Sequence, residues 1–155
     1  MHITRNLAKN LRDVCFGGNW TCSNLKDNLK DVTWQLAIKK VDNLNTIATL
    51  TYHIHYYVIA IKGVLGGAEL NAKDEWSFTH PPINGANDWE NMLESMWSDF
   101  EALADLIEKL PENILEDDFT DKKYGSYYRN LQGLIEHTHY HLGQIALIKK
   151  IGALR

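Results

Sequence analysis

Three of the chain's seven histidines stand close together near its C-terminus, in the run Ile135-Glu136-His137-Thr138-His139-Tyr140-His141-Leu142-Gly143-Gln144. At about 100° per residue, His137 and His141 lie roughly 40° apart on one helix face, in line with Asn130, Leu134, Gln144 and Ile148. His139 points about 160–200° away from that face. Two imidazoles four residues apart can bring their ring nitrogens to one cation, at the distance of about 2.0–2.1 Å that a zinc–imidazole bond requires. The same spacing also fits two ordinary core or surface histidines, and two ligands do not complete a site.

A second histidine cluster supplies the third ligand. It lies in a predicted helix from Leu44 to Leu65, where Ile54, Tyr57, Ile61, Val64 and Leu65 fall within about 60° of Leu50 and define the buried face. His53 lies inside that sector, at about −60°, whereas His55, near 140°, faces outward or against another helix. His53, His137 and His141 can therefore converge. Three imidazoles leave one or more coordination positions for water or substrate, which separates such a site from a closed structural one. No Cys, Asp or Glu stands at a comparable position, so a thiolate site or a carboxylate di-iron site is disfavoured and zinc or nickel is expected. Gln144 shares the ligand face and reads either as a substrate-orienting group or as a bond to a neighbouring helix. Tyr57 and Tyr140 read as pocket lining or as core.

The elements that must position these residues are helical. Ile3, Leu7, Leu11 and Val14 give a first amphipathic helix to Cys15, stopped at Gly17-Gly18. Ser23 and Thr33 are expected to cap two short pieces, through Asp31 and about Asp42. After the His53 helix comes a connection over 66–87, rich in glycine, proline and asparagine, which serves as a crossover, a cover for the site, or both. Asp88 is expected to cap a third helix ending at Leu110 before Pro111, and the acidic run Glu112–Asp121 reads as solvated surface. The last helix is expected over Tyr124–Ile151. It carries a second apolar face, Tyr128, Ile135, Leu142 and Ala146, that would meet another helix or a second subunit.

A chain of 155 residues with 45% hydrophobic and 23% charged residues supports one domain, 1–155, with its own core. A net charge of −4 with scattered basic residues argues against nucleic acid. The N-terminus lacks an apolar leader, and the longest apolar run, Tyr56–Leu65, is interrupted by Lys62; a cytoplasmic chain without a membrane span is expected. Cys15 and Cys22 read as small buried or half-buried side chains rather than a redox pair.

Four long helices with extended crossovers read as an all-α four-helix bundle, an architecture that builds metal sites from facing helices. The run His137-Thr138-His139-Tyr140-His141-Leu142-Gly143-Gln144-Ile145 resembles the HxxxHxGQI signature of the DinB-like superfamily, and Leu50-Thr51-Tyr52-His53-Ile54 resembles its upstream histidine segment. The resemblance covers nearly the whole chain, including Asn19-Trp20, Pro81-Pro82 and Lys123-Tyr124-Gly125. It implies an up-down-down-up bundle, usually a homodimer, with a divalent metal on His53, His137 and His141. Some members of that superfamily are transferases that use low-molecular-weight thiols such as bacillithiol, and a related branch includes a mycothiol-dependent isomerase. The functions implied are a metal-dependent thiol S-transferase or a hydrolase; the alternatives are a non-catalytic metal-binding or stress-related dimeric bundle, and a dimerising module whose histidines are structural.

Overall fold

Every regular element among residues 2–154, the part of the chain that the computed structural model describes, is helical, apart from one isolated bridge between Asp118 and Ser126. α1 (Ile3–Phe16) buries Leu7, Ala8, Leu11, Val14 and Cys15 on one face. It stops where Gly17 and Gly18 take φ of +111° and +103°, a region that side chains with a Cβ rarely enter. Asn19 then fastens the turn, its side-chain amide donating to the Asp13 carbonyl at 3.1 Å and the Ser23 carbonyl at 2.6 Å.

Two short helices follow, α2 (Leu25–Leu29) and α3 (Trp34–Ile38). Asn24 rather than Ser23 caps α2, accepting from the Asp27 N–H. Thr33 caps α3 as expected, but the helix ends after five residues instead of continuing to Asp42. α4 (Ile47–Leu65) begins three residues later than periodicity suggests, because Thr46 provides the capping hydroxyl to the Thr49 N–H. α5 (Ala86–Lys109), by contrast, starts earlier than expected. Asp88 lies inside its first turn and accepts from the Asn84 N–H instead of capping. α6 (Tyr127–Leu154) is the longest element, and Tyr124, expected to open it, instead closes a separate 3-10 turn, Lys122–Tyr124.

α1 packs chiefly on α5, and α4 packs on both α5 and α6. Phe100, Leu11, Ile54, Met96, Leu131 and Ile145 are among the largest fully buried side chains at their meeting. The Arg12 guanidinium reinforces the first contact, donating to Glu101, Asp105 and Glu108 at 3.0, 2.5 and 3.1 Å. Contact with two long helices explains why α4 is buried around most of its girth: Ala48, Thr51, His55 and Val58 are covered along with the predicted face. His55 lies against α5, where its Nε2 meets Asp99 Oδ2 at 2.7 Å while Lys62 holds Oδ1. Burial lowers the His55 pKa, and the Asp99 bond only partly offsets this.

Most of the two apolar faces of α6 finds partners within the chain. Leu134, Ile145 and Ile148 are buried, and so are Ile135 and Leu142 of the second face, so these need no other subunit. Left exposed on α6 are Tyr128, the first residue of that second face, and Tyr140, Leu147 and Leu154, these last three seven residues apart along one line of the helix. No helix is long and apolar enough to cross a membrane among the described residues.

Candidate metal centre

His53 from α4 and His137 and His141 from α6 meet between their helices, with one ring nitrogen from each lying within 4.8 Å of the others. Ring centroids are 4.8 Å apart for His53 and His137, 4.7 Å for His53 and His141, and 4.5 Å for His137 and His141. His53 and His141 are buried and His137 half-buried. The trio is the one group of three or more metal-capable side chains within reach of a shared cation among the described residues. His139 is not part of it; its Nδ1 bonds back to the Ile135 carbonyl at 3.0 Å.

The outer ring nitrogens show how the trio is oriented. Ser77 Oγ lies 2.7 Å from His53 Nδ1, and its own proton is committed to the Asp74 carbonyl at 2.5 Å. His53 must therefore donate through Nδ1–H, which leaves its Nε2 as a lone pair facing inward. Gln144 Oε1 accepts from His141 Nδ1 at 2.7 Å and frees the Nε2 of that ring in the same way. Bonds of this kind fix the tautomer and orientation of metal-ligating histidines. His137 differs: its Nε2 meets His53 Nε2 at 2.9 Å, and its Nδ1, with Thr51 Oγ1, is one of two buried side-chain polar atoms without a partner among the described residues. In the metal-free tautomer His137 donates Nε2–H to His53. Two imidazoles on one zinc ion sit about 3.3 Å apart at tetrahedral angles, from bonds of about 2.0–2.1 Å. A few tenths of an ångström of opening would let both nitrogens serve one ion, so the donor set fits a divalent transition metal.

The loop between α4 and α5 builds one wall of the centre. Its 3-10 turn, Asp74–Phe78, is tied to α4 by three successive features: Tyr56 Oη accepts from the Lys73 N–H, Tyr57 Oη donates to Asp74 Oδ1, and His53 holds Ser77. Phe78 stacks on His53 with centroids 4.2 Å apart. Tyr57 meets both His53 and His137 edge-on, and Tyr140 does the same to His141. The 66–87 connection thus covers the site as well as crossing over.

Burial controls the electrostatics. It is the largest cause that pushes His53 and His137 down to about 4, with the neighbouring imidazoles adding to it. His141 is lowered by burial as well, against a smaller opposing effect of Gln144. All three rings are therefore neutral at pH 7, the state in which an imidazole can bind a metal. Tyr57 is raised to about 12, first by burial and then by its bond to Asp74, and so holds its proton.

No protein-family model, curated protein or solved structure matches the chain. What the site can do rests on its own geometry. A cleft of about 830 Å³ opens beside His53 and His137, with Tyr57, Asp74, Arg129 and Glu136 in its walls. A second cleft of about 800 Å³, with Trp34, Trp89 and Trp97 in its lining, lies against α5 on a part of the surface that none of the three histidines lines. The first is the one with access to chemistry.

Gln144 lies on the ligand face as its helical phase requires, and its carbonyl oxygen is occupied by His141. Ser77 was not foreseen, since nothing local in Glu75-Trp76-Ser77-Phe78 marks it. Gln144→Ala and Ser77→Ala are each expected to weaken zinc binding about 10–100-fold without removing it, the usual cost of losing such a partner. Competition titration with a chelating dye checks this; unchanged affinity in both variants would contradict an orienting role.

Proposed function

We propose that this chain is a DinB-like metal-dependent protein, an up-down-down-up four-helix bundle that holds a divalent transition metal, zinc or nickel, on His53, His137 and His141. The reading is carried by one observation: three neutral imidazoles converge while the outer nitrogens of two are already held by Ser77 and Gln144. The cation would supply Lewis acidity, lowering the pKa of a thiol or water bound at the open position. The activity that suits this is thiol S-transfer of the bacillithiol type, or hydrolysis.

The chain's own residues do the rest. His53, His137 and His141 offer lone pairs, Phe78 and Tyr57 shield the rings from bulk water, and the adjoining cleft admits a small molecule. Tyr57 is a donor to Asp74 and a poor base. A homodimer is supported by the exposed line Tyr140, Leu147 and Leu154 on α6, and a cytoplasmic setting suits a site of thiol chemistry.

The decisive assay is single-turnover mixing of the zinc- or nickel-loaded chain with small thiols and a chromogenic electrophile, beside a hydrolysis panel. Metal-dependent turnover of either kind is expected, and it should disappear in His141→Ala. Stoichiometric metal with no turnover across both panels would favour the non-catalytic bundle instead.

A further inference from the structure

Away from His53 and His137 the cleft wall changes character, and two cations, Lys123 and Arg129, line it. Neither forms an ion pair among the described residues, whereas Arg12 is surrounded by three acids. Their placement is built. Gly125 has φ +75°, and a Cβ there would stand 2.8 Å from Arg129 Cδ, so the Arg129 stem lies across a position that only glycine leaves open. The turn carrying Lys123 is fastened to α6 by the Asn130 side-chain amide, which donates to the Tyr124 and Ser126 carbonyls at 3.0 and 2.8 Å. Asp121 Oδ1 accepts from the Lys123 N–H at 2.9 Å. Lys123 Nζ rests 4.8 Å from the Tyr124 ring centroid.

The first amides of α6 are already spent: Tyr127 donates to the Asp117 carbonyl, Tyr128 to the Leu115 carbonyl and Arg129 to Ser126 Oγ. An anion here would be held by side chains, above all by the planar guanidinium fork, which matches an oxyanion in two-pronged fashion. The cleft's acids are Asp74, which accepts from Tyr57, and Glu136, which accepts from Gln132 at 3.1 Å. Two acids balance two bases, and that balance suits a monoanion better than a phosphate dianion.

We propose that the cleft binds a small molecule carrying a carboxylate, gripped by Arg129 with Lys123, while its reactive end reaches the three histidines. The placement of the reactive end rests on the metal-centre reading; the carboxylate subsite rests on the cleft wall itself. The test uses the cobalt-loaded chain and pairs of thiols of equal length, mercapto acids against mercapto alcohols, from two to six carbons, followed by the thiolate-to-cobalt absorption band. At one length the acid is expected to bind at least about tenfold tighter than the alcohol, as a charge-assisted pair provides. Arg129→Gln should bring that ratio near one with the alcohol's affinity unchanged, and Lys123→Gln should reduce it less.

A ratio near one at every length, or a ratio unaffected by Arg129→Gln, overturns the proposal while leaving the metal centre standing. So does displacement of the acid by inorganic phosphate at lower concentration than by acetate. Failure to bind cobalt would overturn the metal reading alone. The subsite is then read in the metal-free chain by saturation-transfer NMR with 3-phenylpropanoate against 3-phenylpropanol. Acid-selective transfer, lost in Arg129→Gln, sustains it, and equal transfer overturns it.

Discussion

Replacing His137 by alanine is expected to lower affinity for zinc by more than about a hundredfold while leaving the metal-free fold close to its original stability. Loss of an orienting partner alone costs about 10–100-fold at metal sites, and loss of a ligand costs more. The fold has little invested in this ring. His137 is half-buried, its Nδ1 has no partner, and its one side-chain hydrogen bond runs to another of the three histidines, His53. A buried polar atom without a partner costs about 1–3 kcal/mol, so its removal offsets part of the packing that is lost.

His53→Ala should behave differently. It removes the ring that holds Ser77 and stacks on Phe78, so metal affinity and the order of the 3-10 turn Asp74–Phe78 should fall together. His139→Ala, which takes away a ring bonded to its own helix, should change neither. Elemental mass spectrometry on untagged proteins, read beside their thermal midpoints, separates the three patterns. Wild-type metal content in His137→Ala would exclude the three-histidine centre.

Much of this centre was legible in the sequence, for a physical reason. Ligands that face inward on helices obey a period, and that period alone places His137 beside His141 and selects His53 over His55 for the α6 side of α4. What lies outside the period was not legible. Ser77 reaches His53 through a loop whose shape is set by Tyr56 and Tyr57, 17 residues away from their partners Lys73 and Asp74. The His55–Asp99 pair joins two helices whose relative rotation no single helix specifies.

Helix starts were misplaced where the residue that makes the cap was not the one periodicity or residue type suggested. Asn24 prevailed over Ser23, and Thr46 set the start of α4 beyond Leu44, because a cap depends on the backbone turning at that residue. Of the second apolar face of α6, Ile135 and Leu142 found a partner within the chain, while Tyr128 at its start stays exposed. The line that stays exposed, Tyr140, Leu147 and Leu154, is offset from it around the helix.

Acid should destabilise the metal-free chain over a window well above that of its carboxylates. His53 and His137 are held down to about 4 in the fold, chiefly by burial, whereas an unfolded histidine titrates near about 6.5. Above about pH 6.5 these rings are neutral in both states and contribute no slope. As pH falls from there towards about 4, the unfolded chain takes up protons that the folded chain refuses, so stability falls. His141 and His55 are shifted in the same direction and steepen the loss. Asp99 acts lower: burial alone would raise its carboxyl, but the bonds from Lys62 and His55 outweigh that and hold it below its ordinary range. Its contribution is therefore lost only below about pH 4. The thermal midpoint of the chelator-treated chain should be flat from pH 8 to 7 and drop progressively between 6.5 and 4.5, with a shallower drop in His137→Asn. Zinc should raise the whole curve by binding the folded state alone, and should do so least at the acid end, where protons compete for the same nitrogens. A midpoint independent of pH between 7 and 4.5 would mean that the imidazoles titrate as in open water, and would overturn the account of three rings shielded between α4, α6 and Phe78.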